Sequence, residues 1–256
     1  AAQPADRARV VHVVAAARRH SANGVVYTGT MDAVMDGGPL SDIDESQPYP
    51  ARFLDAYSES KATAEQVVLD ANANGLRTTV LRACGMYGEA DPYHMENVLG
   101  QAKAGKLTFR LGSPDTLFEH VYVGNVAYAH ALATFAMVER DAPPIAGRKY
   151  FVTDQPAHNF FEFMRPFIEQ LGYDFPPASR TIPAPVAMWA GRTTERFARW
   201  VRPVWNVRPV LTRSSVSVLT NTISINSSRL ADDLGYTPRY SPEEAFARVL
   251  THYRDR

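Results

Sequence analysis

The sequence predicts an α/β fold in which helices cover a parallel sheet. Short β-branched runs alternate with helical stretches through the first half of the chain. Tyr57 and Lys61 stand four residues apart on a long predicted helix, which places both on one face. Glycine-containing segments follow the first two predicted strands, where an open parallel sheet presents its ligand-binding edge.

Taken in order, residues 8–20 read as a helix ending in Arg18, Arg19 and His20, cations that suit its C-terminal dipole. Asn23-Gly24 breaks it, and 25–28 is a short buried strand. Gly29 then supplies a tight turn and close approach for a ligand. A polar loop spans 36–50, and a helix over 55–74 is stopped by Gly75. Residues 76–82 form the next strand, 84–93 a loop, 94–104 a helix, 121–123 an extended piece and 125–138 a helix. A strand at 149–153 follows, then a helix to Leu171 with Asn159 and Glu162 as a capping box. Prolines punctuate the chain beyond Tyr173, where 184–201 is an aromatic amphipathic helix. The expected division is 1–155 and 156–256, the second part packing over the sheet of the first.

Composition narrows the function. The chain has 256 residues, 45% hydrophobic and 21% charged, enough for a sizeable core and too apolar for disorder. Lys+Arg and Asp+Glu balance at 27 each, so no net field draws it to nucleic acid or an anionic membrane. A lone Cys84 forms no internal disulfide, and no eighteen-residue apolar run is present, which together favour a cytoplasmic protein with no integral membrane segment. The seven histidines lack metal-ligand spacing, so no metal is expected. Ser58 and Ser60 lie outside any nucleophile elbow. Cys84 reads as a small core residue.

The chemistry is expected at Tyr57-Ser58-Glu59-Ser60-Lys61. An isolated Tyr titrates near pH ~10, and an ammonium one helical turn away favours the phenolate, making Tyr57 a usable acid/base toward an alcohol or ketone. The hydroxyl of Thr30, at the edge beyond the first strand, either donates to a substrate oxygen or caps a turn. Trp189, Trp200 and Trp205, with Met188 and Phe197, either line a lid over an apolar substrate or fill core. Arg192, Arg196, Arg199 and Arg202 make one face basic, though surface attachment is not expected from it.

Val26-Tyr27-Thr28-Gly29-Thr30, the 44–50 loop and Tyr57-Ser58-Glu59-Ser60-Lys61-Ala62 resemble the extended short-chain dehydrogenases/reductases, and most closely the 3β-hydroxysteroid dehydrogenase/isomerase family. The likeness continues through Leu81-Arg82, Met86-Tyr87-Gly88, Val121-Tyr122-Val123 with Asn125-Val126-Ala127, and 147–151, to Leu234-Gly235-Tyr236-Thr237-Pro238. It implies a Rossmann-type doubly wound parallel sheet with a smaller C-terminal substrate lobe, and an oxidoreductase interconverting a secondary alcohol and a ketone. Within it Tyr57 is the general acid/base, Lys61 holds the nicotinamide ribose and Thr30 orients the substrate oxygen. Tyr57, Lys61, Thr28, Ala83, Cys84 and Met86 are the implied contacts to NAD or NADP, with NAD preferred. Thr30, Met86, Tyr87 and Trp189 are the implied contacts to a 3β-hydroxysteroid or similar small apolar substrate. A 2-alkyl-3-oxoalkanoate is the rival substrate, and a homodimer is the assembly the family suggests. Gly29 replaces a usual Ser, Ala83-Cys84 follow Arg82 where Pro is expected, and Gly124 replaces a usual Asp.

One feature is missing from the sequence: no Gly-x-Gly-x-x-Gly or Gly-x-x-Gly-x-x-Gly turn is present to cradle a pyrophosphate. Ala1-Ala2-Gln3-Pro4 resembles the family's segment at the end of its fourth strand, so the first strands and the residue that selects NAD or NADP are absent. Further sequence upstream, a truncation, or a degenerate relative serving as a non-catalytic binding module are the three accounts. The first is favoured.

Overall fold

Parallel pairing begins where β-branched residues cluster. In the computed structural model, which describes residues 3–73, 75–139, 145–201 and 212–254, helix α1 (Gln3–Arg19) leads into strand β1 (Gly24–Thr30). A 3-10 turn (Met31–Val34), strand β2 (Leu40–Ile43), helix α2 (Ala56–Asp70) and strand β3 (Arg77–Ala83) follow. Next come β4 (Gly85–Tyr87), α3 (Met95–Lys103), β5 (Arg110–Leu111), β6 (His120–Tyr122), α4 (Val123–Val138) and β7 (Lys149–Val152). The remainder is α5 (Phe160–Gln170), β8 (Thr181–Ile182), α6 (Ala184–Val201), α7 (Arg213–Thr220), β9 (Ile223–Ile225), α8 (Ser228–Leu234) and α9 (Pro242–Arg254).

The principal sheet runs β1-β3-β7, all parallel, and its register sets Thr30 beside Ala83 and Ala83 beside Val152. Of three short parallel pairs, β2-β9 and β5-β8 join the two halves of the chain, and β4-β6 lies within the first. Among the described residues β1 pairs on one side only, and α1 and α4, which both touch it, leave Val11, Val13, Phe135 and Val138 exposed. The α/β parallel architecture matches the prediction. No helix among the described residues is long and apolar enough to cross a membrane.

Several local expectations change. The predicted 36–50 loop contains β2 and the predicted 84–93 loop contains β4, because each finds a parallel partner distant in sequence. Val123 starts α4 instead of ending a strand. Helix α2 begins as expected, with the Asp55 carboxylate accepting from Ser58 N at 2.9 Å, but ends at Asp70. Gly75, at φ +88°, serves the turn into β3, not the helix end. Only half the α5 capping box forms: the Asn159 side chain accepts from Phe161 N and Glu162 N, while Glu162 pairs with Arg110 and Arg165. Arg202 and Trp205 lie outside the described residues, and of Phe197, Arg199 and Trp200 only the place on α6 is described, not the side chains.

Gly29 is corrected too. It lies inside β1, not at a turn, and a Cβ there would meet Val80 Cγ1 at 2.8 Å and Glu65 Oε2 at 3.2 Å. The strand needs a glycine because a buried ion pair occupies the space beside it. Arg82 on β3 donates through Nη2 to Glu65 Oε1 at 2.6 Å, and both side chains are 0% exposed. Tyr49 donates to the same carboxylate at 2.7 Å, and the Phe151 ring flanks the guanidinium. Gly124 answers a similar need, since a Cβ there would sit 2.5 Å from the Tyr122 ring.

Removing one member of a buried pair strands the other charge, at a cost of about 3–5 kcal/mol. Glu65→Ala is therefore expected to destabilise the fold by that amount in urea denaturation. Adding Arg82→Met should recover most of the loss; a double variant no more stable than Glu65→Ala would show that the pair does not fasten α2 to the sheet.

Candidate active site

The carboxyl ends of β1 and β3 lie side by side, and the first turns of α2 reach them. Lys61 donates from Nζ to the Thr28 carbonyl at 3.0 Å, and its ammonium lies 4.8 Å from the centre of the Tyr27 ring. Tyr57 stands one turn earlier on the same helix face, and at 51% exposure it is open to a ligand. Glu65, one turn beyond Lys61, is the buried end of the same stripe. Tyr57, Lys61 and Glu65 thus grade from solvent into core along one side of α2.

Thr28 points its hydroxyl at His130 of α4, 2.8 Å from Nε2. The other nitrogen of His130, Nδ1, lies 2.8 Å from the Val126 carbonyl, which only accepts, so Nδ1 carries the hydrogen and Nε2 accepts from Thr28. Thr30 ends β1 and caps the 3-10 turn. Its hydroxyl accepts from Asp32 N at 3.2 Å and donates to Asp32 Oδ2 at 3.2 Å. Burial pushes the Asp32 carboxyl above the usual carboxylate range, against the opposing hydrogen bond from Thr30.

Of the other residues singled out in the sequence, Ala83 and Cys84 are buried at the end of β3, so only their backbone can meet a ligand. The Cys84 thiol is pushed well up, by burial first, which fits an inert core residue. Met86, on β4, is 40% exposed, and its carbonyl lies 3.1 Å from His94 Nδ1. Tyr87, expected at the substrate, is instead a core residue whose ring packs against Tyr122, Phe163 and Phe167; burial pushes its phenol up. Alternation along β4 turns Met86 outward and Tyr87 inward. Trp189 lies on the outer side of α6, 67% exposed. A cavity of about 320 Å³ between the end of α3 and the 174–180 segment is lined by Gly105, Leu107, Phe175 and Arg180 among others, and by none of the predicted site residues.

Asp32 and His130 were not singled out in the sequence. The signal for Asp32 was the Thr-x-Asp spacing of an N-terminal turn cap; nothing local marks His130, whose partner is 102 residues away.

Glu119 is a further buried acid. Its Oε1 accepts from Ile225 N at 2.9 Å, while Oε2 is buried without a hydrogen-bond partner among the described residues. Burial raises its pKa to about 7. An acid whose folded pKa exceeds its unfolded one binds more protons when folded, so its ionisation lowers stability as pH rises from about 4.5 to about 7. Glu119→Gln is expected to be more stable than the parent at pH ~8, by up to roughly 3 kcal/mol, with the gap closing near pH ~5. Urea denaturation at the two pH values measures it, and a gap independent of pH would refute the assignment.

The comparisons with known proteins converge. Residues 10–182 match the model of the 3-beta hydroxysteroid dehydrogenase/isomerase family. The chain is 35% identical over 239 residues to short-chain dehydrogenase/reductase family 42E member 1 of Danio rerio, covering 89% of this chain and 61% of that protein. It is 33% identical to the decarboxylating sterol-4-alpha-carboxylate 3-dehydrogenase of Schizosaccharomyces pombe, covering 93% of this chain and 68% of that protein. A 3beta-hydroxysteroid-dehydrogenase/decarboxylase of Arabidopsis thaliana is 34% identical, and the chain spans 53% of its length. Among solved structures, gox2253 superposes with a TM-score of 0.69 at 21% identity, over 96% of this chain and 71% of that one. MoeE5 in complex with UDP-glucuronic acid and NAD superposes with a TM-score of 0.64 at 18% identity, over 96% of this chain and 70% of that one. At these identities the structures establish the Rossmann-type fold alone.

Proposed function

Since the chain belongs to the 3-beta hydroxysteroid dehydrogenase/isomerase family, we propose that it carries the acid/base site of an NAD-dependent oxidoreductase that interconverts a 3β-hydroxysteroid and its 3-ketone. The observation that supports this best is the Tyr57–Lys61 pair: an exposed phenol one helical turn from an ammonium that is itself held 3.0 Å from the Thr28 carbonyl. The two side chains stand at the carboxyl edge of a parallel sheet, where such sheets take ligands.

The residues present fit one end of a dinucleotide. A phenol and an ammonium suit the hydroxyls of a nicotinamide ribose, and the backbone of Ala83 and Cys84 borders the same sheet edge. The glycine-rich turn for the pyrophosphate is not among this chain's residues. When bound, the nicotinamide takes up or returns the hydride. In alcohol oxidation Tyr57 receives the hydroxyl proton as the carbon loses hydride; in ketone reduction it returns that proton to the oxygen. Lys61 supplies the positive charge that favours the phenolate, and its bond to Thr28 fixes where that charge sits. Thr30 supplies a second hydroxyl at the same edge.

In the protein as naturally encoded, Tyr57→Phe is expected to lower turnover of a saturated 3β-hydroxysteroid with NAD by about 10²–10⁴-fold. Unchanged NADH formation would sink the proposal. Lys61→Ala should raise the KM for NAD as well as slow turnover; an unaltered KM would remove the cofactor role of Lys61. Turnover of a 2-alkyl-3-oxoalkanoate in place of the steroid would reassign the substrate. The absence of any NAD-induced thermal shift would point to a non-catalytic binding module.

A further inference from the structure

Asp32 lies next to the proposed site and takes no part in the chemistry described so far. It sits in the 3-10 turn that leaves β1, and its carboxylate is bound to the hydroxyl that the site needs. Thr30 has one hydroxyl hydrogen and two lone pairs. One lone pair takes Asp32 N at 3.2 Å. While Asp32 is ionised, the hydrogen points at Oδ2, 3.2 Å away, and Thr30 has none left to donate. Once Asp32 carries a proton, the carboxyl donates to the second lone pair of Thr30, and the Thr30 hydrogen is free to turn outward.

We propose that Asp32 is a positioning residue that decides whether Thr30 can donate a hydrogen bond to the substrate oxygen. This rests on the oxidoreductase reading above and deepens it. The substrate oxygen gains negative charge as hydride moves, so a second donor beside Tyr57 stabilises the transition state more than the ground state. The neutral form of Asp32 is then the productive one.

The groups that face Asp32 are Asp55 at the start of α2, Lys61 on α2, His94 at the start of α3 and Cys84 beyond β3. Burial raises the Asp32 pKa most, Asp55 adds to it, and Thr30, His94 and Lys61 oppose it. The net direction is upward, which moves the loss of the productive form toward neutral pH. Turnover falls as pH rises through that raised value.

The test is the pH profile of kcat for reduction of a saturated 3-ketosteroid with NADH, in the naturally encoded protein. The parent should lose on the order of 10²-fold through a limb that begins above the ordinary aspartate range. Asp32→Asn, whose amide can donate to Thr30 at every pH, should abolish that limb and stay at the upper level. Thr30→Val should be slow and flat, and Thr30→Ser should restore the parent's limb. An Asp32→Asn enzyme that keeps the limb, or that is as slow and flat as Thr30→Val, overturns the proposal. So does a Thr30→Ser enzyme that is flat. Tyr57→Phe, run alongside, separates the two readings: if it turns over normally the oxidoreductase account fails, whereas a dead Tyr57→Phe with an unaltered Asp32→Asn profile removes Asp32 alone.

Discussion

A carboxylate and a guanidinium, neither touching water, fasten helix α2 to the sheet. Glu65 and Arg82 meet at 2.6 Å between α2 and β3, and the space they fill explains the residues around them. Gly29 has no side chain because Val80 and Glu65 occupy its Cβ position. Tyr49 gives the carboxylate a further hydrogen bond, and Phe151 lies along the guanidinium. Such a pair repays the desolvation of two charges only when its geometry is tight and its spare oxygens are satisfied. What it adds is registry: α2 can neither slide nor rotate on β3 without parting the ions.

Registry matters because of what lies two turns away. On the stripe Tyr57–Lys61–Glu65, the buried end is fixed by Arg82, the middle by the Thr28 carbonyl, and the outer end projects into solvent. Thr28 in turn is held from the opposite side of β1 by His130 of α4. The phenol is thus presented by elements that are immobilised from both faces of the sheet, while the ring itself stays accessible. An arrangement built this way keeps its geometry without sacrificing exposure.

Three other acids, Glu45 and Glu119 buried and Asp154 half-buried, join the second half of the chain to the first. Glu45 accepts from Phe151 N on β7 and pairs with Arg229 of α8. Glu119 accepts from Ile225 N on β9. Asp154 accepts from Tyr122 N and from the Asn125 amide, and Asn125 binds the Tyr240 backbone through both of its ends. Each carboxylate satisfies backbone or amide donors that a short or interrupted sheet leaves over. Together with the β2-β9 pairing they make the later segments part of the same body as the sheet.

The sequence by itself determined the α/β class, the long helices, and the helix face shared by Tyr57 and Lys61, because strand alternation, caps and the i,i+4 relation are local properties of the chain. Even the core character of Cys84 followed from residue type and neighbours. Only the tertiary structure decided that Gly29 stands inside a strand, that Tyr87 faces the core while Met86 faces out, that β2 and β4 are strands at all, and that the Thr30 hydroxyl answers to Asp32. These depend on partners brought together from distant parts of the chain, or on which side of a short strand is covered. A sequence pattern with a period of two or three residues carries no information about either.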